Sequence, residues 1–209
     1  MSSENTRGRI VLLNGVSSSG KTTIAKNLQE IMDSPYLIMG LDKFYNLYTE
    51  SFPAKYNPPP LPKNASIEKY HKCEIRNRRS ETFHHFIAAF SIAGNDIIVD
   101  TVFDTKQILE HGLKVLHDFP VLLVGVKCPL EELERREKTR ENRKQGLAKI
   151  QYNKVHTYTI YDLEVDTSKQ SPFECAKEIK KVIETIPKGL PSEAWKSMVE
   201  TNFQKHKKT

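Results

Sequence analysis

The sequence predicts an α/β fold, a sheet of five strands covered by helices on both faces in three layers. Three observations carry this expectation. Short apolar runs such as Ile10–Leu13, Ile97–Val99 and Val121–Val126 suit strands buried on both faces. Segments with apolar residues at helical spacing separate them. A glycine-rich turn joins the first run directly to the first such helix, as in the units that build wound sheets. No internal repeat or clear linker interrupts the pattern, and right-handed crossovers between successive strands give the three layers.

In chain order, strand one is Ile10–Leu13, and the helix after it runs from Thr22 to Met32 with Ile24, Leu28 and Ile31 on one face. Strand two is Tyr36–Leu41. A long irregular stretch follows from Phe52 to Arg79, including Pro58-Pro59-Pro60-Leu61-Pro62, and loops of that length in compact domains tend to be functional. A helix carrying Phe83, Ile87 and Phe90 on one face stops at Gly94-Asn95, before strand three, Asp96–Val99. A helix with Leu109, Leu113 and Leu116 leads into strand four, Val121–Val126. Pro129 then opens a helix with Glu131 and Glu132 in its first turn and arginines further on, the order a helix dipole favours. Strand five is Asp162–Val165. Ser171-Pro172-Phe173-Glu174 reads as a capping box with proline at the first helical position, opening a helix buried through Ile179, Val182 and Ile186 and ended by Pro187, Gly189 and Pro191. A last helix is expected around Trp195.

The 209 residues are 38% hydrophobic and 28% charged, which excludes a disordered chain, and no run reaches the roughly 18 apolar residues of a spanning helix. Three scattered cysteines and a polar N-terminal stretch point to a cytoplasmic protein. The net charge of +6 suits a polyanionic ligand; a nucleotide accounts for it, and nucleic acid is an alternative that is not favoured.

Gly15-Val16-Ser17-Ser18-Ser19-Gly20-Lys21-Thr22 is a complete phosphate-loop (Walker A) sequence, with Thr23 following. Its glycines let successive backbone N–H groups turn toward phosphate, and the helix start behind them adds partial positive charge. Lys21 is expected on the β- and γ-phosphates of ATP, and the Thr22 hydroxyl on Mg²⁺. Ligands in such sheets gather at the carboxyl ends of strands. Asp100, ending the run Ile97-Ile98-Val99, is expected near Mg²⁺, and Asp42, ending strand two, could take the proton of an attacking hydroxyl. Between strands four and five, Arg135, Arg136, Lys138, Arg140, Arg143, Lys144 and Lys149 concentrate positive charge. In one continuous helix Arg136, Arg140 and Arg143 share a face, an arrangement suited to a lid closing over phosphates.

Taken together, Ile10 to Thr22, Met39 to Asp42, Ile97 to Phe103, Val124 to Cys128, and the set Arg136-Glu137, Arg140, Arg143, Gly146, Gln151, Val155-His156, Tyr161-Asp162 and Val165-Asp166-Thr167 resemble the chloramphenicol phosphotransferase family over residues 10 to about 185. The resemblance implies ATP-dependent kinases with the fold of nucleoside monophosphate kinases, and a parallel sheet in the order 2-3-1-4-5. It also implies a general base at Asp42, lid arginines at Arg136 and Arg140 with Arg143 a further candidate, and a primary hydroxyl as acceptor. Two departures stand out: Thr101 follows Asp100 where the family usually has a second acid, and residues 45–80 show almost no likeness. On this reading residues 1–187 are the kinase domain, with an acceptor-side insertion at 45–80 and an arginine-rich lid at 134–158, and 188–209 are an extension. The reaction expected is transfer of the γ-phosphoryl group of ATP, with Mg²⁺, to a hydroxyl of a small molecule. A nucleotide or polynucleotide kinase, or a nucleotide-dependent switch, is the alternative.

Other residues carry less. His71, Cys73, His84 and His85 have no standard zinc spacing. His156 lies in an expected helix and reads equally as structural or catalytic. Phe83, Phe86, Ile87 and Phe90 read as core, whereas Tyr45, Tyr48, Phe52 and Tyr56 could wall an acceptor pocket.

Overall fold

The computed structural model describes residues 7–44, 74–139 and 146–206. Five parallel strands, β1 (Ile10–Gly15), β2 (Tyr36–Gly40), β3 (Asp96–Thr101), β4 (Val121–Lys127) and β5 (Leu163–Asp166), form one sheet in the order β2-β3-β1-β4-β5. Seven helices are described: α1 (Lys21–Ile31), α2 (Glu74–Ile92), α3 (Lys106–Val115), α4 (Leu130–Lys138), α5 (Leu147–Tyr152), α6 (Pro172–Thr185) and α7 (Glu193–His206). The expected α/β/α class and strand order are both borne out.

The period-two alternation of side chains along a strand builds the layers. Ile10 and Leu12 of β1, with Ile97, Val99, Val121 and Leu123, face a core closed by Phe83 and Ile87 of α2, Leu109 and Leu113 of α3, and Trp195 and Met198 of α7. Val11 and Leu13, with Ile98, Leu122 and Val124, face the other way, onto Ile24 and Leu28 of α1 and Cys175, Ile179 and Ile183 of α6. Since both faces are covered, the central strands read as continuous apolar runs. The capping box that opens α6 is formed, with the Ser171 hydroxyl accepting from the Glu174 N–H and the Glu174 carboxylate accepting from the Ser171 N–H.

The strand limits move by small, consequential amounts. β2 ends at Gly40, one residue early, and residues 41–44 coil into a helical turn, so Asp42 sits on that turn rather than on the strand. β3 runs two residues past Val99, which puts Asp100 in register between Leu13 and Gly40. β5 lies one residue later than expected. Helix α2 begins at Glu74, inside the stretch expected to be irregular. The arginine-rich segment is not one helix in its described part: α4 stops at Lys138, and α5 starts behind Gly146, whose φ of 88° marks the break. Arg140 and Arg143 lie outside the described residues, so the face expected of Arg136, Arg140 and Arg143 has no described helix beneath it. His156 lies in a turn after α5 instead of in a helix.

At the foot of the sheet, Arg9 is buried and its guanidinium donates to the carbonyls of Ile183 and Ile186, while its N–H donates to the Asp96 carboxylate at 2.7 Å. A cation at the C-terminal end of α6 satisfies carbonyls that the helix leaves open. Helix α7 belongs to the same core: Trp195 is fully buried and its indole N–H donates to Leu116 O at 3.1 Å. No described helix is long and apolar enough to cross a membrane.

Truncating a fully buried aromatic costs about 3–5 kcal/mol. Trp195→Ala is therefore expected to shift the urea midpoint of the whole chain in a single transition, and an unchanged midpoint would show that α7 contributes nothing to the core.

Candidate active site

Parallel pairing brings the carboxyl ends of β1, β3 and β2 side by side, and the site is assembled on these ends. After Gly15 the chain turns through residues 16–20 into α1. Gly20 adopts φ 92°, a left-handed geometry that glycine takes without strain, and Ser18 adopts φ 67°. The Ser19 N–H donates to Val16 O at 3.2 Å, and the Thr167 hydroxyl, just past β5, donates to Ser19 O at 2.9 Å.

Lys21 is only 5% exposed. Its ammonium donates to Gly15 O at 2.8 Å and Val16 O at 3.0 Å, and lies 3.6 Å from the Asp100 carboxylate. The Thr22 hydroxyl donates to the same carboxylate at 2.5 Å. Lys21, Thr22 and Asp100, expected together from sequence, thus form one contact set, whereas Thr23 is exposed in the first turn of α1. Among the described residues the buried hydroxyls of Ser18 and Ser19 have no hydrogen-bond partner, in a loop whose geometry favours an anion. These residues fit a nucleotide phosphate. The hard oxygens of Thr22 and Asp100 fit Mg²⁺, which takes few protein ligands and keeps its waters. Among the described residues no three His, Cys, Asp or Glu side chains are gathered to hold a metal ion.

A cleft of about 620 Å³ opens from this cluster between α1 and the β2 edge, lined by Thr22, Lys26, Gln29, Ile38, Asp42 and Asp100 among others. Asp42 and the Thr22–Asp100 pair therefore share one cavity. The Tyr45, Tyr48, Phe52 and Tyr56 expected to wall it lie outside the described residues.

Arg136 is fixed by neighbours on both sides. Its Nε donates to Glu132 at 2.7 Å, and its two terminal nitrogens donate to the Thr167 hydroxyl at 3.0 Å and to Thr167 O at 2.9 Å. A Cβ at Gly20 would lie 3.8 Å from this guanidinium, which marks how close it stands to the phosphate loop. Hydrogen bonds from Arg135 and Arg136 hold the Glu132 carboxyl down to about 2. The buried Glu137 carboxylate accepts from the N–H groups of Gly146 at 3.0 Å and Ala148 at 2.8 Å. It thus fastens the start of α5 back onto α4, on the far side of residues 140–145.

Two buried amides had no role from sequence. Gln151 accepts from the Ser17 N–H at 2.8 Å, joining α5 to the phosphate loop. Asn14 accepts from the Phe103 N–H at 2.8 Å and donates to Val155 O at 3.1 Å and to the Tyr161 hydroxyl at 2.7 Å. A signal for Asn14 existed, a polar residue directly between the apolar run Ile10–Leu13 and Gly15; Gln151 was marked only as one residue of the family resemblance. His84 pairs with His111, Nδ1 to Nδ1, at 3.0 Å. Burial, with the charges of His111 and His85, holds His84 down to about 3, so it is a neutral core residue.

Comparison with known proteins fits this arrangement. Residues 8–184 match the family described as chloramphenicol phosphotransferase-like protein. Two Mycobacterium tuberculosis proteins (strains CDC 1551 and H37Rv), provisionally named O-phosphotransferases, are each 29% identical over 189 residues, covering 86% of this chain and 84% of theirs. Among solved structures, the Mycobacterium tuberculosis APS kinase in complex with AMPPNP and APS superposes with a TM-score of 0.63 at 16% identity, over 86% of this chain and 99% of that one. A sugar kinase from Janibacter gives 0.65 at 18% over 88% and 99%, and the shikimate kinase of Acinetobacter baumannii with shikimate gives 0.58 at 14% over 87% and 95%. At such identities the structures speak for the fold alone. The match over residues 8–184 settles membership: this chain belongs to the chloramphenicol phosphotransferase-like family and is a phosphotransferase, a kinase with an alcohol group as acceptor.

Proposed function

We propose that the protein transfers the γ-phosphoryl group of ATP, with Mg²⁺, to a hydroxyl of a small molecule bound in the cleft beside Asp42. One observation carries this reading: a single cavity joins Thr22 and Asp100 to Asp42. Donor-side and acceptor-side groups thereby face the same space.

In this reading the backbone N–H groups of Ser18, Gly20 and Lys21 and the Ser18 and Ser19 hydroxyls hold the phosphates. Lys21 exchanges its contacts with Gly15 O and Val16 O for β- and γ-phosphate oxygens. Thr22 and Asp100 hold Mg²⁺, whose charge neutralises the phosphates. Asp42 accepts the proton of the attacking hydroxyl, a general-base role worth typically 10²–10⁴ in rate. Arg136 is a fixed positive charge beside Gly20, and Arg140 and Arg143 supply the charges that meet the moving phosphoryl group. The Thr101 that replaces a second acid leaves Asp100 as the carboxylate on the metal side. The reading is for a small-molecule acceptor rather than chloramphenicol itself, because residues 45–80 lack the family's likeness.

Incubation with γ-labelled Mg-ATP and a mixture of metabolites and antibiotics tests the reading. Wild type should yield a labelled small molecule, and label found only in inorganic phosphate would count against it. Lys21→Ala should abolish the product. Asp42→Asn should lower kcat by roughly 10²–10⁴ while nucleotide binding persists, and unchanged turnover would remove Asp42 from the chemistry. Asp100→Asn should leave nucleotide binding without metal intact but raise the Mg²⁺ concentration needed for half-maximal rate by roughly tenfold or more; an unaltered Mg²⁺ dependence would exclude Asp100 as a metal ligand.

A further inference from the structure

The cleft beside Asp42 has a charged wall that the reading above leaves unused. One face of α1 runs along it: Thr22, Lys26, Gln29 and Glu30, at i, i+4, i+7 and i+8, all line the cavity. Lys43, on the turn that carries Asp42, lines it from the β2 side. Helical rise puts Lys26 about 6 Å beyond Thr22 along α1, and Glu30 about 12 Å beyond. A lysine stem is flexible, so each ammonium sweeps the space that its residue lines.

Among the described residues no ion pair or hydrogen bond engages Lys26 or Lys43. The same spacing does pair elsewhere in the chain. Lys106 lies 3.2 Å from Glu110 and Lys180 lies 3.9 Å from Glu184, both at i and i+4. Lys26 and Glu30 share that spacing and order without forming such a pair. The Asp100 carboxylate, by contrast, is already met by Lys21 and Thr22. With Asp42 assigned to the hydroxyl proton, the remaining charges of the cleft are Lys26 and Lys43 against Glu30. Space for a ligand among them is kept by Gly40, where a Cβ would meet nothing nearer than the Asp100 Cβ at 4.0 Å. The Gln29 amide donates to Tyr36 O at 2.5 Å and ties α1 to β2, so the two walls hold their spacing.

We infer, on the kinase reading above, that the acceptor is a small hydroxylated anion whose carboxylate or phosphate group is held by Lys26 and Lys43. A neutral acceptor would cover two ammonium groups without answering them, whereas an oxyanion makes charge-assisted hydrogen bonds to both. Glu30, one turn past Lys26, repels an anionic group that reaches further and so limits the acceptor to a short molecule. The transfer itself is unaltered. An O–P bond forms to the acceptor, the bond from the γ-phosphorus to its bridging oxygen breaks, the electron pair leaves with ADP, and the hydroxyl proton goes to Asp42. Lys26 and Lys43 bind and orient, and set specificity.

The labelled product of the γ-labelled Mg-ATP incubation, identified by mass, is the first test. Its acceptor should carry a carboxylate or a phosphate, and the product shows which. A neutral or cationic acceptor would overturn the inference and leave the kinase reading standing. Absence of any labelled small molecule would overturn the kinase reading, and this inference with it. Lys26 and Lys43 are both exposed, so Lys26→Gln and Lys43→Gln should melt as wild type does. Each should raise the KM for the identified acceptor roughly tenfold with kcat within about threefold, as expected for loss of a hydrogen bond to a charged group. Lys26→Arg, which keeps the charge, should stay within about threefold of wild type. The wild-type KM should also rise with ionic strength more steeply than that of Lys26→Gln. An unchanged KM in either glutamine variant, or a fall in kcat at unchanged KM, would overturn the inference.

Discussion

A lysine ammonium with 5% exposure at the end of a sheet must be compensated, and much of this structure is arranged to do so. Two loop carbonyls and the Asp100 carboxylate surround Lys21. Those carbonyls are available only because residues 16–20 turn tightly between β1 and α1. Asp100 is in reach only because β3 pairs directly with β1, in a register that sets Leu13 beside it. A parallel neighbour of this kind requires a crossover through a helix, and such helices cover the sheet on both faces. The two apolar cores follow, one on each side of the β1 side-chain alternation.

The phosphate loop is held from outside as well as from within. Gln151 accepts from its Ser17 N–H, Thr167 donates to its Ser19 carbonyl, and Asn14, just before Gly15, bonds Phe103 beyond β3 and Val155 and Tyr161 ahead of β5. Apart from Phe103, each partner belongs to the segment between β4 and α6. Residues 16–20 are thereby tied to the start of α5 and to the chain just past β5. Glu137 extends the connection by clasping the start of α5 to α4.

Family membership secures the transfer of a phosphoryl group to a hydroxyl. The family match ends at residue 184, yet the chain continues into α7, whose tryptophan completes one of the two cores. The last helix is thus part of the domain's core although it lies beyond the segment shared with the family.

The sequence by itself determined whatever depends on local spacing. Strict apolar runs, the glycine–lysine pattern of the loop and the Ser171–Glu174 cap are each readable within a few residues, so the strands, the phosphate loop and the start of α6 were all legible. Asp100 was legible too, because it ends an apolar run. Tertiary structure alone decided how distant segments answer one another. Gln151 and Ser17 are far apart in the chain, and no periodicity relates them; only the packing of α5 makes one the acceptor of the other. The arginine-rich segment misled for a related reason: charge at helical spacing says nothing of where Gly146 and the Glu137 carboxylate break the helix. Hydrogen bonds between residues remote in sequence are settled by the fold, because their partners become neighbours only once the sheet has formed.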